Sequence, residues 1–486
     1  MSVNSNCSVS RRELLRAGTG LAVASAMLWP RLSLAAAASD YEIAPGPGRA
    51  FLKGEQGQST SVWAYNTRIP GPEVRIRQGQ PVRIVVENRL EEDTTVHWHG
   101  IRLPNAMDGV PGLTQPPIKP GERFVYKFTP PDAGTFWYHP HANSLQQLGR
   151  GLAGALIIEE PEPVHVDRDV LWVLADWRLD SDGKIAPGFG NPMEAAMSGR
   201  VGNSVTLNGS VPEDQSVRAG ERVRLRLINV SLARIMALRF EGHTPVIVAV
   251  DGQPCDPHEP KGGRLLLGPA MRLDLVIDMQ GESGKRYAVI DDFYDGLAYE
   301  LTNLAYASQS PLRKNPLNAP LRLPRNPLPV PDLPNAERHE MVLQGGMPSM
   351  RDMMGGGKMQ GMSRMSGGMA GHGPAIWSIN GTSMTGDGHD AEIPPLITLK
   401  QGRSHFITMR NETAWWHPMH LHGFSFRVIN RNGAPVPHNQ WADTVLLAPK
   451  DTVDIAFVAD NPGDWMLHCH VTDHQTAGLM TVIRVA

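Results

Sequence analysis

The chain is predicted to be all-β, built from related sandwich or barrel domains. Long helix-period patterns are scarce, short alternating runs sit between Gly/Pro turns, and one ten-residue pattern occurs three times. A length of 486 residues suggests two to four domains.

Residues 1–38 read as a targeting segment. Ser10-Arg11-Arg12-Glu13-Leu14-Leu15 carries twin arginines, an apolar run follows, and small residues suit cleavage near Ala38. The apolar run falls short of the ~20 residues of a membrane span. Sec export is the rival route, but the twin-arginine pattern fits better and implies an exported, periplasmic protein with no stable membrane insertion. Four arginines and one glutamate give this segment +3 of a formal charge of −3, so the remainder carries −6. That balance argues against a nucleic-acid partner. Cys7 leaves with the leader, and Cys255 and Cys469 remain, so no disulfide framework is expected.

The repeated pattern is "GQPVRIVVEN" (Gly79–Asn88), "GERVRLRLIN" (Gly220–Asn229) and "GRSHFITMRN" (Gly402–Asn411). Each is a Gly turn, an alternating strand and an Asn. Copies about 140 and 180 residues apart mean three related β domains, because solenoid periods run only about 20–50 residues. The expected boundaries are 39–162, 163–309, a Pro-rich linker 310–334, and 335–486.

With the Asn as a ruler, His97 and His99 fall at the same offsets from Asn88 as His420 and His422 from Asn411. The middle domain has Leu238 and Phe240 there. A Phe eleven residues before an H-x-H pair repeats as Phe128 to His139 and Phe457 to His468. Domains one and three therefore carry two H-x-H pairs each. Domain two carries none; its His165, His243 and His258 read as structural, and it reads as a spacer. Residues i and i+2 of a strand share a face, so each pair presents two imidazoles side by side. Eight imidazoles from two related domains suit a metal cluster at a pseudo-twofold interface, where Cu, Zn, Fe or Ni would fit.

Cys469, between His468 and His470, points to the other face and belongs to a second site. His474 and His417 are its expected partners, the trigonal set of a blue copper site. A zinc site is the alternative, but it leaves the other eight imidazoles unexplained. Domain one lacks this set, with Thr94, Pro140 and Leu145 at the matching offsets.

"HWHG" (His97–Gly100), "WYHPHA" (Trp137–Ala142), "HPMHLHG" (His417–Gly423) and "HCHVTDH" (His468–His474) resemble the four copper motifs of three-domain multicopper oxidases, closest to bacterial laccase-like and copper-resistance members. The resemblance implies three cupredoxin-like Greek-key domains and four Cu ions. Type 1 copper would be held by His417, Cys469 and His474, and type 2 by His97 and His420. The type 3 pair would take His99, His139 and His470 on one ion and His141, His422 and His468 on the other. It also implies four one-electron oxidations at type 1 copper, with Cys469 passing electrons to the cluster where O2 becomes two waters.

The family's axial position falls on Leu479, a non-coordinating side chain expected to leave the copper three-coordinate and raise its potential. Met480 next to it should face the opposite way. Asp108, where the family carries an acid near the cluster, is expected to help deliver protons; a turn aspartate before Gly109 is the plainer reading. Gln475 stands where relatives often have a proton-relaying glutamate.

Residues 341–373 hold nine methionines among glycines. Met347, Met350, Met353, Met354, Met359, Met362, Met365 and Met369 are candidate Cu(I) ligands, since thioethers select Cu(I). A low-complexity loop without a role is the alternative. Three functions remain open: a cuprous oxidase, a laccase-like oxidase of phenols or other organic donors, and a non-catalytic copper-binding protein. The last would need no cluster. A monomer is expected, because domains one and three of one chain complete the cluster.

Overall fold

The computed structural model describes residues 39–54, 57–313, 315, 317, 321–348, 375–385 and 394–486. The leader and Met350 to Met369 lie outside them. The all-β expectation holds: the described residues are strands joined by a few helices of six residues or fewer. None of these helices is long and apolar enough to cross a membrane.

One sheet pattern occurs three times. The three repeated strands, Val82–Glu87, Arg222–Asn229 and Ser404–Asn411, each pair in parallel with an earlier strand: Ser39–Ile43, Arg168–Trp177 and Glu337–Gly345. Each also pairs antiparallel with a later one: Arg123–Phe128, Arg272–Asp278 and Thr452–Val458. The facing sheets repeat as well. In the first, Gly134–His139 lies between Gly154–Glu159 and His97–His99. In the third, Gly463–Cys469 lies between Met480–Val485 and His417–Leu421.

The repeated asparagine has a physical reason. Asn88, Asn229 and Asn411 are buried, and each side chain ties the loop that follows. Asn88 donates to Glu92 O and Ile118 O at 2.8 Å and accepts from Leu90 N at 2.9 Å. Asn229 does the same with Arg234 O, Leu267 O and Ser231 N. Asn411 does so with Trp415 O, Ala448 O and Thr413 N. An amide side chain offers the donors and the acceptor this buried loop requires. The loop in turn fixes where the next strand begins, which in the first and third repeats is the strand carrying H-x-H.

Strand register then brings the pairs together. His97 lies opposite His139, and His420 opposite His468. In the middle repeat the matching pair is Leu238 opposite Asp291. His243 and His258 of that repeat bond locally, to Glu241 O and Asp256 O at 2.8 Å.

Candidate metal centre

Eight buried imidazoles meet between the first and third repeats. His97 stacks on His422 with ring centroids 3.9 Å apart, and His99 on His420 at 3.7 Å. His139 Nε2 lies 3.4 Å from His470 Nε2, and His422 Nε2 lies 3.0 Å from His468 Nε2. His141, His422 and His468 bring their nitrogens together as one trio, and His97 sits with His420 and His422 in another.

The outer nitrogens are fixed by pairwise-matched hydrogen bonds. His97 Nδ1 donates to Asp108 O at 2.8 Å and His420 Nδ1 to Asp443 O at 2.9 Å. His139 Nδ1 donates to Pro140 O and His468 Nδ1 to Cys469 O, both at 3.0 Å. Each carboxylate then crosses to the other repeat: Asp108 Oδ2 is 2.8 Å from His422 Nδ1, and Asp443 Oδ1 is 3.1 Å from His99 Nε2. Such bonds set the tautomer and leave the opposite nitrogen's lone pair for a metal. His97 Nε2, His99 Nδ1, His420 Nε2 and both nitrogens of His141 are buried without a hydrogen-bond partner. Orphaned buried nitrogens facing one another are costly unless an ion satisfies them.

A second trio lies on the far face of the same strand. Cys469 Sγ is 3.5 Å from His417 Nδ1 and 3.7 Å from His474 Nδ1, and the two nitrogens are 3.1 Å apart. Strand Gly463–Cys469 ends at the cysteine, and helix Thr472–Thr476 carries His474 back toward it. The outer nitrogens are engaged, His417 Nε2 with Thr413 Oγ1 and His474 Nε2 with Met197 O, both at 2.8 Å. Leu479 is buried in the core cluster that contains Cys469 and Trp377, whereas Met480 packs with Val110 and Met466. Gln475 is buried, and its Nε2 has no partner.

The electrostatics suit metal ligands. Burial pushes His99, His139, His141, His417, His420, His422 and His470 below the ordinary imidazole range. It takes His468 and His474 down to about 3. All of these are neutral imidazoles at neutral pH. Burial also pushes the Cys469 thiol up, so only a bound cation would make it a thiolate there. Neutral imidazoles with one thiolate are the donor set copper takes.

The middle repeat is more than a spacer. Its fully buried Arg272 clasps Asp443 from two guanidinium nitrogens, Nη1 at 2.8 Å, and reaches Thr135 O of the first repeat at 3.2 Å. Asp251 accepts from Arg272 N at 2.9 Å and Thr444 N at 3.0 Å. Burial and then the nearby Asp443 push Asp251 up to about 7. Burial acts to raise Asp443, but Arg272 outweighs it and holds this carboxyl below the usual range. Sequence reasoning missed Asp443, Asp251, Arg272 and Met197, because no motif or spacing marks them.

Asp108 is buried at the end of the 3-10 turn Asn105–Met107, and its Oδ1 lies 3.3 Å from His97 Nδ1. A Cβ on the next residue, Gly109, would collide with the Val96 carbonyl, so the turn closes tightly against the strand bearing His97. Met347 joins the second trio's surroundings by its backbone, its carbonyl accepting from Trp415 Nε1 at 2.8 Å.

Family models described as multicopper oxidase match residues 51–163, 168–309 and 368–486. Multicopper oxidase MmcO of Mycobacterium tuberculosis is 30% identical over 90% of this chain and 85% of its own. Copper resistance protein A of Escherichia coli is 26% identical over 98% and 99%. The crystal structure of a multi-copper oxidase from Pseudomonas thermotolerans superposes with a TM-score of 0.80 at 36% identity, over 93% of this chain and all of that one. With its paired-histidine cluster, its cysteine trio and these relatives, the chain belongs to the multicopper oxidases, oxidoreductases that work with four copper ions.

Proposed function

We propose that this enzyme oxidises Cu(I) to Cu(II) in the periplasm and reduces O2 to water, as a defence against copper. In this reading residues 39–162 and 335–486 supply the copper sites, 163–309 braces them, and the linker 310–334 joins them. The twin-arginine leader provides export. His417, Cys469 and His474 hold type 1 copper beside the non-coordinating Leu479. His97 and His420 hold type 2. His99, His139 and His470, with His141, His422 and His468, hold the type 3 pair. Bound copper supplies one-electron storage, matching four oxidations to the four-electron reduction of O2.

The chain's own residues do the rest. Cys469 links the two sites through its neighbours His468 and His470, and its carbonyl accepts from His468 Nδ1, giving a hydrogen-bonded route beside the covalent one. Asp108 holds His422 with one oxygen, and its other, 3.3 Å from His97 Nδ1, passes protons toward the cluster.

The observation that carries the choice of reductant is the position of the methionine-rich stretch. Its first described methionine beyond the strand, Met347, is hydrogen-bonded through its carbonyl to Trp415, two residues before His417. Its thioethers suit Cu(I). The test is oxygen consumption by copper-loaded enzyme with Cu(I) and with a phenol, before and after deletion of 347–369. Loss of Cu(I) oxidation with phenol oxidation retained is expected. Unchanged Cu(I) kinetics would remove the methionines as substrate ligands.

A further inference from the structure

The three repeats differ at an inward place that neither histidine centre uses. It is the fourth residue of the ten-residue pattern, at the start of the repeated strand. In the first two repeats it is Val82 and Val223, 2% and 3% exposed. In the third it is His405, fully buried. An imidazole buried where the other repeats bury valine costs free energy unless its nitrogens find partners.

The partners come from the parallel neighbour. In strand Glu337–Gly345, Glu337 lies opposite His405 and His339 opposite Ile407. Residues i and i+2 share a face, so Glu337 and His339 stand on the same side as the imidazole. The matching places hold Ser39 and Tyr41 in the first repeat and Arg168 and Val170 in the second. Of the three, the third repeat alone brings two imidazoles and a carboxylate together here. His339 Nε2 is 3.1 Å from His405 Nδ1, and Glu337 Oε2 is 3.8 Å from the same nitrogen. The Glu337 side chain is 45% exposed, so the trio opens to solvent at its carboxylate end.

The placement of protons points to a cation. His405 Nε2 faces the Lys400 carbonyl at 3.3 Å, and a carbonyl only accepts, so that nitrogen carries the proton. Nδ1 is then a lone pair aimed at His339 Nε2. An N–H from His339 would satisfy that lone pair and do nothing for the Glu337 carboxylate, whereas a metal ion serves all three. Two imidazole nitrogens held by one ion at about 2.0–2.1 Å stand about 3.0–3.4 Å apart, a spacing this pair already has.

We propose that Glu337, His339 and His405 form a further metal site, separate from the two histidine centres, for a divalent ion of the Zn(II) or Cu(II) kind. Two imidazoles and a carboxylate, with a fourth place open to solvent, are a donor set both ions take. The ion clips the strand that enters the third repeat to the strand that ends at Asn411, and so braces the loop ahead of His417.

Calorimetry of the copper-loaded full chain, its four coppers confirmed by elemental analysis, tests this with Zn2+ and Cu2+ in turn. Other histidines also take up such ions, so the reading is the equivalent that variants of the trio lose. His339→Gln should weaken one equivalent of Zn2+ by about 100-fold and Glu337→Gln by about tenfold. Cu2+ should bind the trio more tightly than Zn2+, following the usual order of divalent affinities. His405→Val installs the residue of the other two repeats, and should fold and lose the same equivalent. Oxygen consumption and the blue thiolate–copper absorption should be unchanged in all three. Zn2+ should raise the melting temperature of the unaltered enzyme and not that of His339→Gln. Loss of the equivalent for Cu2+ alone keeps the site and assigns it to copper. Equal stoichiometry and affinity for both ions in the unaltered enzyme, His339→Gln and His405→Val overturns it, and leaves His339 and His405 as a hydrogen-bonded pair.

Discussion

Asp443 Oδ1 lies 3.1 Å from His99 Nε2, so a carboxylate of the third repeat holds a histidine of the first. The reverse holds at 2.8 Å between Asp108 Oδ2 and His422 Nδ1. The halves of the cluster are thus cross-braced. The braces are not equivalent, because Asp443 is clasped by Arg272 and Asp108, among the described residues, by no arginine.

Arg272→Met should therefore cost much more than a surface change. It leaves Asp443 and Asp251 buried beside each other without their cation, a loss of about 3–5 kcal/mol. Denaturant unfolding of the copper-loaded protein measures this. Arg272→Lys keeps the charge but not the two-pronged geometry, and should fall between. Electron paramagnetic resonance of type 2 copper should change in both variants, since Asp443 also holds His420 through its carbonyl.

Asp108→Asn should lower kcat by about 100-fold at neutral pH, with copper content unchanged, if the carboxylate passes protons. The loss should deepen as pH rises and external protons become scarcer. Turnover equal to that of the unaltered enzyme would leave Asp108 as a brace for His422 only.

Cys469→Ser should abolish the blue absorption and steady-state turnover while leaving three coppers per chain by elemental analysis. The cluster's histidines make no use of the thiol. In the copper-free protein burial pushes this thiol up, so alkylation at neutral pH should be slow until the chain unfolds.

The copper-free protein should lose stability as pH falls below about 6.5. His99, His139, His141, His420, His422, His468 and His470 of the cluster, with His417 and His474 of the trio, are depressed in the folded state, to about 3 for His468 and His474, from an ordinary value of 6.5. Between those values the unfolded chain binds protons that the folded chain refuses, so stability rises with pH across that window. Each such histidine contributes a slope of about 1.4 kcal/mol per pH unit. Thermal unfolding at pH 7, 6 and 5 checks it; a melting temperature that does not drop would contradict neutral buried imidazoles.

Much of the cluster was legible in the chain because its determinants are local. Alternation along a strand puts His468 and His470 on one face and Cys469 on the other. The recurrent Asn88, Asn229 and Asn411 set the loop ahead of the next strand, so counting from them finds paired histidines in two repeats and Leu238 in the middle one. Leu479 and Met480 were also separable by alternation alone.

What the chain by itself determined was thus the repeat, the strand faces and which histidines pair on one face. Only the tertiary structure decided how those imidazoles are oriented and what holds them. Arg272 reaches Asp443 across 171 residues, and Asp443 reaches His99 across 344. Such pairs leave no periodic trace, because each partner is one charged residue in an otherwise ordinary strand. Met197 is harder still, since it acts through a backbone carbonyl, and every residue has one. Packing three repeats around one interface buries these groups together, and burial gives each hydrogen bond its weight.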